Sequence, residues 1–377
     1  MVVQEKNPQF GESSVTVIAL TRHYGTPQYV LVDSDFGKLK FPGLRYQAAH
    51  SADETLEDVA QRRFEEQTGL RMTNNLGLRV IMPTRSRHDN SWIFRYIFLG
   101  ICDDLSNREK SDRDREVFLA DLGRGIDSNE VRVEQLGHAG QYKRIEWVAE
   151  DNREVAQTAT DMLNSFDWEG GNTNYYRRIP CVGAKPLTEG MERPLGCGLA
   201  VASMILLHKP GIGERLRTIL VEKRTDELYP VLPGFAGGKI QTPEGNKLNL
   251  DPISCCMAEG EEELGFEVVP RGIICCAHTP LDVPVGDGER YYVGIDNVAF
   301  VAAPRHPGLV KGILEHPEEH LEGKMKRYVV ETLGEFRDRV DRGDLRTPDM
   351  AAIGREFYRT PPGQNIPLTQ IIYSGAP

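Results

Sequence analysis

Three glutamates at helical spacing constrain this chain more than any other feature of its sequence. Glu259, Glu262 and Glu263 stand at positions i, i+3 and i+4, so a helix would carry them on one face. Asp251 predicts the N-cap of that helix, and Gly265 predicts a left-handed C-cap. Carboxylates crowded on one face repel each other unless a cation lies among them. The pattern therefore indicates a site for Mg²⁺ (or Mn²⁺), which takes oxygen ligands; a solvated acidic helix face is the alternative.

A glycine-rich loop precedes this helix. Between Gly234 and Gly238 the backbone carries few side chains, so Gly237 and Gly238 could approach a phosphate closely. The whole stretch 232–266 resembles the Nudix box, which reads Arg-Glu-apolar-any-Glu-Glu-any-Gly-apolar after a Gly-Gly turn. The chain departs from that pattern at three positions: Ala258 replaces the arginine, Gly260 replaces an apolar residue, and Leu250 stands where a further glutamate is usual.

The resemblance implies a reaction and a set of site residues. It implies a hydrolase that cleaves diphosphate bonds with Mg²⁺ held by Glu259, Glu262 and Glu263. Glu259 and Glu262 are then the catalytic residues expected on the helix. Gly237 and Gly238 are expected to bind the substrate.

The first half of the chain resembles the same box in an altered form. Residues 54–70 match it in register through Glu54, Arg62, Glu66 and Gly69. Arg63 stands in the position of Glu259, however, and Gln67 stands in the position of Glu263. An arginine there should repel a divalent ion, and we expect it to pair with Glu66. The resemblance therefore implies a degenerate module; an amphipathic helix with a surface ion pair is the alternative.

The fold class predicted from these two matches is α/β, with two tandem Nudix-type α/β/α sandwich modules whose sheets are mixed. Residues 1–168 are expected to form the degenerate module, 169–194 a linker, and 195–377 the hydrolase module. The division rests on a repeated order of strands, a Pro-Gly loop, a helix that ends in glycine, and further strands.

Three further segments have a recognisable local pattern. A helix is expected from about Ser51, where Ser51 and Glu54 would form a capping box. Residues 103–141 are a polar stretch of mixed charge. In the linker, residues 175–182 are expected to form a short strand that packs on either module.

The approach to the glutamate helix resembles a subgroup of the family. Residues 221–238 are similar to the matching segment of Nudix pyrophosphatases that act on ADP-ribose and nucleotide sugars. Arg224 matches an arginine whose planar guanidinium suits a bidentate grip on a phosphate or ribose; a surface arginine at a strand end is the alternative. In that subgroup a loop glutamate positions the attacking water, so Glu319 is the expected general base, with Glu318 and Glu322 as further candidates.

Composition excludes several classes of partner. The 377 residues carry a formal net charge of -11, which disfavours nucleic acid and anionic membranes. Seven cysteines lack metal-ligand spacing, and an odd number suits a full disulfide framework poorly. His316 and His320 lack a third zinc ligand. Because no long apolar run or signal-peptide pattern is present, we expect a cytoplasmic protein.

Two hypotheses of function follow. In the first, the chain is a Mg²⁺-dependent pyrophosphohydrolase that cleaves the diphosphate of a nucleoside diphosphate linked to another moiety, with ADP-ribose or a nucleotide sugar as the leading candidate. In the second, both modules bind a nucleotide without turnover and report it to a partner protein. The expected partner is thus a small molecule in both cases, and a homodimer is left open.

Overall fold

Two sheets carry the fold, one in each half of the chain. The computed structural model describes residues 12–23, 25–33, 38–46, 55–72, 76–85, 92–102, 105, 116–120, 130–136, 142–146, 151–170, 172–173, 175–183, 194–207, 216–223, 232–240, 251–285, 289–306, 308, 325–360 and 365–373. Element bounds and contacts refer to that part of the chain.

The first sheet has nine strands within the described residues. They are β1 (Glu12–His23), β2 (Thr26–Asp33), β3 (Leu39–Lys40), β4 (Gly43–Tyr46), β5 (Gly77–Arg85), β6 (Trp92–Ile101), β7 (Val117–Ala120), β8 (Glu130–Gln135) and β9 (Tyr142–Glu146). Their order is β5-β6-β1-β2-β7-β8-β9, with β3 beside β2 and β4 beside β1. The sheet is mixed, because β1 and β6 run parallel while the other described pairs are antiparallel.

The second sheet has seven strands within the described residues. A small hairpin of β10 (Phe166–Asp167) and β11 (Asn172–Thr173) precedes it; its own strands are β12 (Cys181–Gly183), β13 (Pro194–Leu207), β14 (Arg217–Lys223), β15 (Ala236–Lys239), β16 (Val268–Val285), β17 (Glu289–Pro304) and β18 (Met325–Thr332). Their order is β12-β16-β17-β13-β14-β18, with β15 beside β13. This sheet is also mixed, since β13 pairs parallel with β17 and β12 parallel with β16.

Helices cover both faces of each sheet. They are α1 (Leu56–Thr68), α2 (Asp151–Asn164), α3 (Pro252–Leu264), α4 (Leu333–Arg342) and α5 (Pro348–Arg359), followed by a short 3₁₀ helix at Leu368–Gln370. One hydrophobic cluster joins α1 and α3 to both sheets, a second packs α2 on the first sheet, and a third packs α4 and α5 on the second. The predicted fold class is therefore confirmed: each half is an α/β unit with a mixed sheet between helices. We call the first sheet with α1 and α2 the first module, and the second sheet with α3 to α5 the second module.

The start of α1 differs from the prediction. Its N-cap is Thr55, whose hydroxyl accepts from the backbone N–H of Asp58, while the Asp58 carboxylate accepts from the backbone N–H of Thr55. The expected box of Ser51 and Glu54 is therefore wrong, and these two residues lie outside the described part of the chain. Threonine and aspartate form the same reciprocal cap as serine and glutamate, and the sequence alone did not distinguish the two registers.

Residues 103–141 also contain more structure than their polar composition indicated. They include β7, all four residues of which are buried, and β8 beside it. The polar composition of the whole stretch hid these two strands, because only β7 itself is a short apolar run.

The segment predicted as a linker connects the two sheets directly. Ile179 forms a bridge with Leu78 of β5 in the first module. Two residues later the same segment becomes β12, where Cys181 pairs with Cys276 of β16 in the second module. The expected strand at 175–182 is thus shorter than predicted and contacts both modules. The domain division itself stays a prediction.

The C-terminal segment 365–373 crosses between the modules in the opposite direction. Ile366 forms a bridge with Ile273 of β16 in the second module, and Ile371 then forms a bridge with Ile81 of β5 in the first. Each of the two crossing segments therefore contacts strands of both modules. Neither module keeps all of its strand contacts when the other is removed.

None of the helices in the described part of the chain has the length and apolar composition of a membrane span.

Candidate metal and diphosphate site

Helix α3 begins and ends where the sequence predicted. The Asp251 carboxylate accepts from the backbone N–H groups of Ile253 and Ser254, each at 3.0 Å. Gly265 adopts the left-handed conformation with φ 71°, and its N–H closes the last turn on the carbonyl of Glu261. The caps fix both ends of the helix that carries the three glutamates.

Glu263 binds β15, the strand that contains Gly237 and Gly238, where the sequence predicted a glycine-rich loop. Its side chain is buried, and Oε2 accepts from the backbone N–H of Gly237 at 2.9 Å. Gly237 pairs with Ala202 of β13 so closely that a Cβ at this glycine would overlap the carbonyl oxygen of Val201. Glycine is therefore required here by the close approach of two backbones.

Glu259 packs against the next glycine of β15, Gly238. A Cβ at Gly238 would overlap the carboxylate of Glu259, which is half-buried. The structure thus brings four predicted site residues together, because the carboxylates of Glu259 and Glu263 contact Gly238 and Gly237 of β15. Glu262 stands on the same helix and is exposed.

The described side chains do not form a complete metal centre as they stand. Among them, no three His, Cys, Asp or Glu residues are grouped closely enough to hold an ion. Several residues that the sequence singled out lie outside the described part of the chain, so the roles predicted for them stay predictions: Arg224, Glu318, Glu319 and Glu322, together with His316 and His320.

The first module contains the same helix–loop contact with an amide in place of the carboxylate. Gln67 Oε1 accepts from the backbone N–H of Gly43 at 2.9 Å, and Gln67 Nε2 donates to the carbonyl of Gly43 at 2.9 Å. Gly43 also pairs with β1 so closely that a Cβ would overlap the carbonyl oxygen of Val15. Gln67 and Glu263 therefore occupy equivalent positions, as the two box matches predicted.

The predicted ion pair of the first module is present. Arg63 Nη1 lies 2.6 Å from Glu66 Oε2, and Arg62 Nη1 lies 3.1 Å from Glu66 Oε1. Arg63 thus places a positive charge in the position that Glu259 occupies in α3. One carboxylate with two guanidiniums is a poor environment for a divalent cation.

The equivalent contacts of the two modules differ by one hydrogen bond. In the first module, Gln67 Nε2 donates to the carbonyl of Gly43. An ionised carboxylate has no hydrogen to donate, so Glu263 cannot repeat that bond to the carbonyl of Gly237. Carboxylate and carbonyl oxygens are the ligands that Mg²⁺ takes. The oxygens of Glu259, Glu263 and Gly237 are therefore donors of the kind that this ion takes.

Two tyrosines hold the ends of α3 from outside the box. Tyr328 donates its hydroxyl to the carbonyl of Leu264 at 2.7 Å, and burial raises its pKa to about 12. Tyr373 donates to Asp251 Oδ1 at 2.7 Å; burial, with the bond to Asp251, raises the pKa of this phenol. Burial acts to raise the pKa of Asp251, but the bonds from Ser254 and Tyr373 outweigh it and hold that pKa below its usual value. Neither contact could be predicted from the sequence, because 64 and 122 residues separate the partners.

No protein-family model and no curated protein matches this chain. Among solved structures, it is similar to a NUDIX hydrolase from Nitrosomonas europaea, at 17% identity over 48% of this chain and 97% of that one, with a TM-score of 0.29. It is also similar to a MutT/nudix family protein from Enterococcus faecalis, at 14% identity over 43% of this chain and 67% of that one, with a TM-score of 0.32.

A third match is Shewanella oneidensis NrtR, at 13% identity over 42% of this chain and 61% of that one, with a TM-score of 0.27. Two of these three carry the name of the superfamily that the α3 segment resembles. At these identities and TM-scores the matches say nothing about activity.

Proposed function

We propose that the second module is a Mg²⁺-dependent pyrophosphohydrolase acting on a nucleoside diphosphate linked to another moiety. The observation that carries the proposal is the meeting of Glu259 and Glu263 with Gly237 and Gly238 of β15. Two carboxylates beside a strand backbone supply oxygen ligands of the kind that Mg²⁺ takes together with substrate phosphates. Glu262, on the same helix face, is the third ligand in this proposal.

Each residue has a distinct part in the proposed reaction. Mg²⁺, when bound, would offset the charge of the diphosphate and make the attacking water easier to deprotonate. Glu259, Glu262 and Glu263 would hold the ion, while Gly237 and Gly238 let the backbone of β15 come close to these carboxylates. Water adds to one phosphorus, the bridging P–O bond breaks, and two phosphate monoesters and a proton are released. Glu319 is proposed to take the proton from that water.

The substrate class rests on the approach to the box. Arg224 lies in the segment 221–238 that resembles ADP-ribose and nucleotide-sugar pyrophosphatases, and its guanidinium would hold a phosphate or the ribose. ADP-ribose or a nucleotide sugar is therefore the substrate proposed first. The net charge of -11 supports a small-molecule substrate in preference to a nucleic acid.

The test is a panel of diphosphate compounds incubated with the protein and Mg²⁺, with release of AMP or another monophosphate as the readout. Glu262→Gln should lower turnover by roughly two to three orders of magnitude, because each 1.4 kcal/mol of lost transition-state stabilisation is about tenfold. Glu261→Gln is the matched control, since Glu261 is an exposed neighbour outside the box positions. Equal turnover of Glu262→Gln and wild type would refute the site.

A nucleotide sensor without catalysis is the second candidate. It is favoured by the absence, among the described side chains, of three acidic, histidine or cysteine groups gathered to hold an ion. Ala258 and Leu250 also depart from the box of active members of the family. Binding of ADP-ribose without release of any monophosphate, with Mg²⁺ or Mn²⁺ present, would favour the sensor over the enzyme.

The cytoplasm is the location proposed for this activity. Six of the seven cysteines have side chains that the structure describes, and all six are free thiols. Burial raises the pKa of Cys256, in α3, to about 11, so this thiol stays protonated and unreactive at neutral pH. Free, buried thiols are typical of a reducing compartment.

A further inference from the structure

A cleft of about 660 Å³ lies at the C-terminal end of α2, where the two crossing segments pass each other. Asp161 and Asn164 of α2 form one wall, and Tyr175, Arg177 and Thr369 of the crossing segments form the other. Its volume falls within the range of small-molecule sites, about 300–1,000 Å³. The cleft includes none of the residues proposed for hydrolysis.

The floor of this cleft is fixed by Gln370, which is fully buried. Its Nε2 donates to the carbonyl of Arg79 at 2.6 Å and to the carbonyl of Arg177 at 2.8 Å, while its Oε1 accepts from the backbone N–H of Arg177 at 3.0 Å. Three bonds from one buried amide tie β5 and both crossing segments together. The cleft is therefore formed before any ligand arrives, which lowers the entropic cost of binding.

Tyr175 forms an aromatic rim that the fold does not explain. Its side chain is 76% exposed, and in the described part of the chain Tyr175 and Tyr373 are the exposed large hydrophobic residues. The hydroxyl bond to Asp251 accounts for Tyr373. The ring of Tyr175 remains accessible to a planar ligand, and base–aromatic stacking is a strong and common contact.

The two walls differ in the groups they offer. Burial, and then the charge of Asp161, raises the pKa of Tyr176, so the carboxylate lies near a phenol that stays protonated. Asp161, the amide oxygen of Asn164 and the negative end of α2 all favour a hydrogen-bond donor. The opposite wall carries Arg177, whose guanidinium favours an anion and suits a phosphate.

We propose that this cleft binds a nucleoside monophosphate whose base carries an exocyclic amino group. The base stacks on Tyr175, the amino group faces Asp161 and Asn164, and the phosphate contacts Arg177. The site goes beyond the proposed hydrolase, because it uses neither the glutamate helix nor a metal.

The test is calorimetric titration of the full-length protein with AMP in the presence of EDTA, which keeps divalent cations from the glutamate helix. Tyr175→Ala should weaken AMP binding by about fivefold or more, and Arg177→Ala by about tenfold. Arg178→Ala is the matched control: its guanidinium pairs with Glu57 outside the cleft, so AMP affinity should be unchanged. Inosine monophosphate, which has a carbonyl in place of the amino group, and adenosine, which lacks the phosphate, should both bind more weakly than AMP.

Four results would overturn the proposal. They are no binding of AMP at millimolar concentration, equal affinity of Tyr175→Ala and wild type, equal affinity for AMP and inosine monophosphate, and loss of the EDTA-resistant binding in Glu262→Gln. The last would place the nucleotide at the glutamate helix instead. Because Tyr175 is exposed, its variant should fold, and an unchanged thermal midpoint checks this. A failed titration leaves the hydrolase proposal untouched, since that is tested by turnover.

Discussion

Gln67 and Glu263 occupy equivalent positions on two helices, and each accepts a hydrogen bond at 2.9 Å from the backbone N–H of a strand glycine, Gly43 and Gly237 respectively. The amide closes a second bond to its glycine, which an ionised carboxylate cannot do. In both modules this side chain fastens the helix to the strand that carries the glycine. In the proposed function Glu263 has a second purpose, which is to supply a negative oxygen for a cation.

Glu263→Gln should separate these two purposes. Because Gln67 shows that an amide fits this environment, we expect the free energy of unfolding to change by less than about 1 kcal/mol. Turnover with Mg²⁺ should fall about 100-fold or more, since a metal-bound charge is lost. Urea denaturation and monophosphate release on the same preparation measure the two effects.

The control for that experiment is Glu263→Leu, which leaves the N–H of Gly237 without its acceptor. It should lose about 1–3 kcal/mol of stability as well as activity. If Glu263→Gln is as unstable as Glu263→Leu, the carboxylate is needed for the loop itself and the equivalence with Gln67 is wrong.

Metal binding should distinguish the two modules within the intact chain. The crossing segments make separated modules an unsuitable preparation, because Ile179 and Ile371, which follow the first module in the chain, both form bridges with its strand β5. We expect Mn²⁺ titration of the full-length protein to give one high-affinity site. Glu259→Gln should weaken that site about tenfold or more, because charges at contact distance interact by several kcal/mol even at an effective dielectric near 20.

The matched variant is Glu66→Gln in the first module. Glu66 stands at the box position of Glu262 but is already paired with Arg62 and Arg63, so its loss should leave Mn²⁺ affinity unchanged. A substantial loss of affinity in Glu66→Gln would mean that the first module binds metal after all.

Local pattern was enough to predict the α/β fold class and the glutamate helix. The caps at Asp251 and Gly265 follow from side-chain chemistry within a few residues, and so does the match between Arg63 and Glu66. The register of α1 could not be predicted with the same certainty, because Thr55–Asp58 and Ser51–Glu54 satisfy the same capping rule.

The contacts that a single sequence could not predict are those between distant segments. The bonds of Gln370 to Arg79 and of Tyr373 to Asp251 join residues 291 and 122 positions apart. Neither the periodicity nor the composition of the C-terminal segment records these partners. The bridges of Ile179 and Ile371 to β5 belong to the same class, since they depend on how the two sheets pack.

The cap of α3 should make stability depend on pH in the acid range. The pKa of Asp251 is held below its usual value, so its stabilisation is complete above the ordinary aspartate pKa of about 3.9 and is lost as pH falls through the lowered folded value. Asp251→Asn keeps a good N-cap but does not titrate. We expect wild type to be more stable than this variant by about 0.5–1 kcal/mol at pH 7, because a charge near the helix N-terminus is favourable.

Below about pH 4 that difference should shrink. Urea denaturation of both proteins at pH 7 and at several acid pH values measures it. A constant difference across this range would show that Asp251 is not the group that titrates.

Gly260 gives a prediction opposite in sign to helix propensity. Replacing a glycine in the middle of a helix by alanine is usually stabilising by about 1 kcal/mol. Here a Cβ would overlap a methyl group of Val268, which is buried and branched at Cβ, so it cannot move aside easily. Overpacking of this kind costs about 1–3 kcal/mol. We therefore expect Gly260→Ala to lower the free energy of unfolding and the thermal midpoint.

Gly334→Ala is the matched control, because this glycine lies in the first turn of α4 and a Cβ there would meet only the Thr332 hydroxyl, at 3.9 Å. With space for the methyl group, propensity should decide, and the variant should be as stable as wild type or more so. The pair separates packing from propensity within one protein. It also explains the glycine at a box position where the Nudix pattern has an apolar residue: Val268 fills the volume that such a side chain would need. If Gly260→Ala is stabilised as much as Gly334→Ala, α3 does not pack on β16 as closely as described, and the placement of Glu259 against Gly238 must be revised with it.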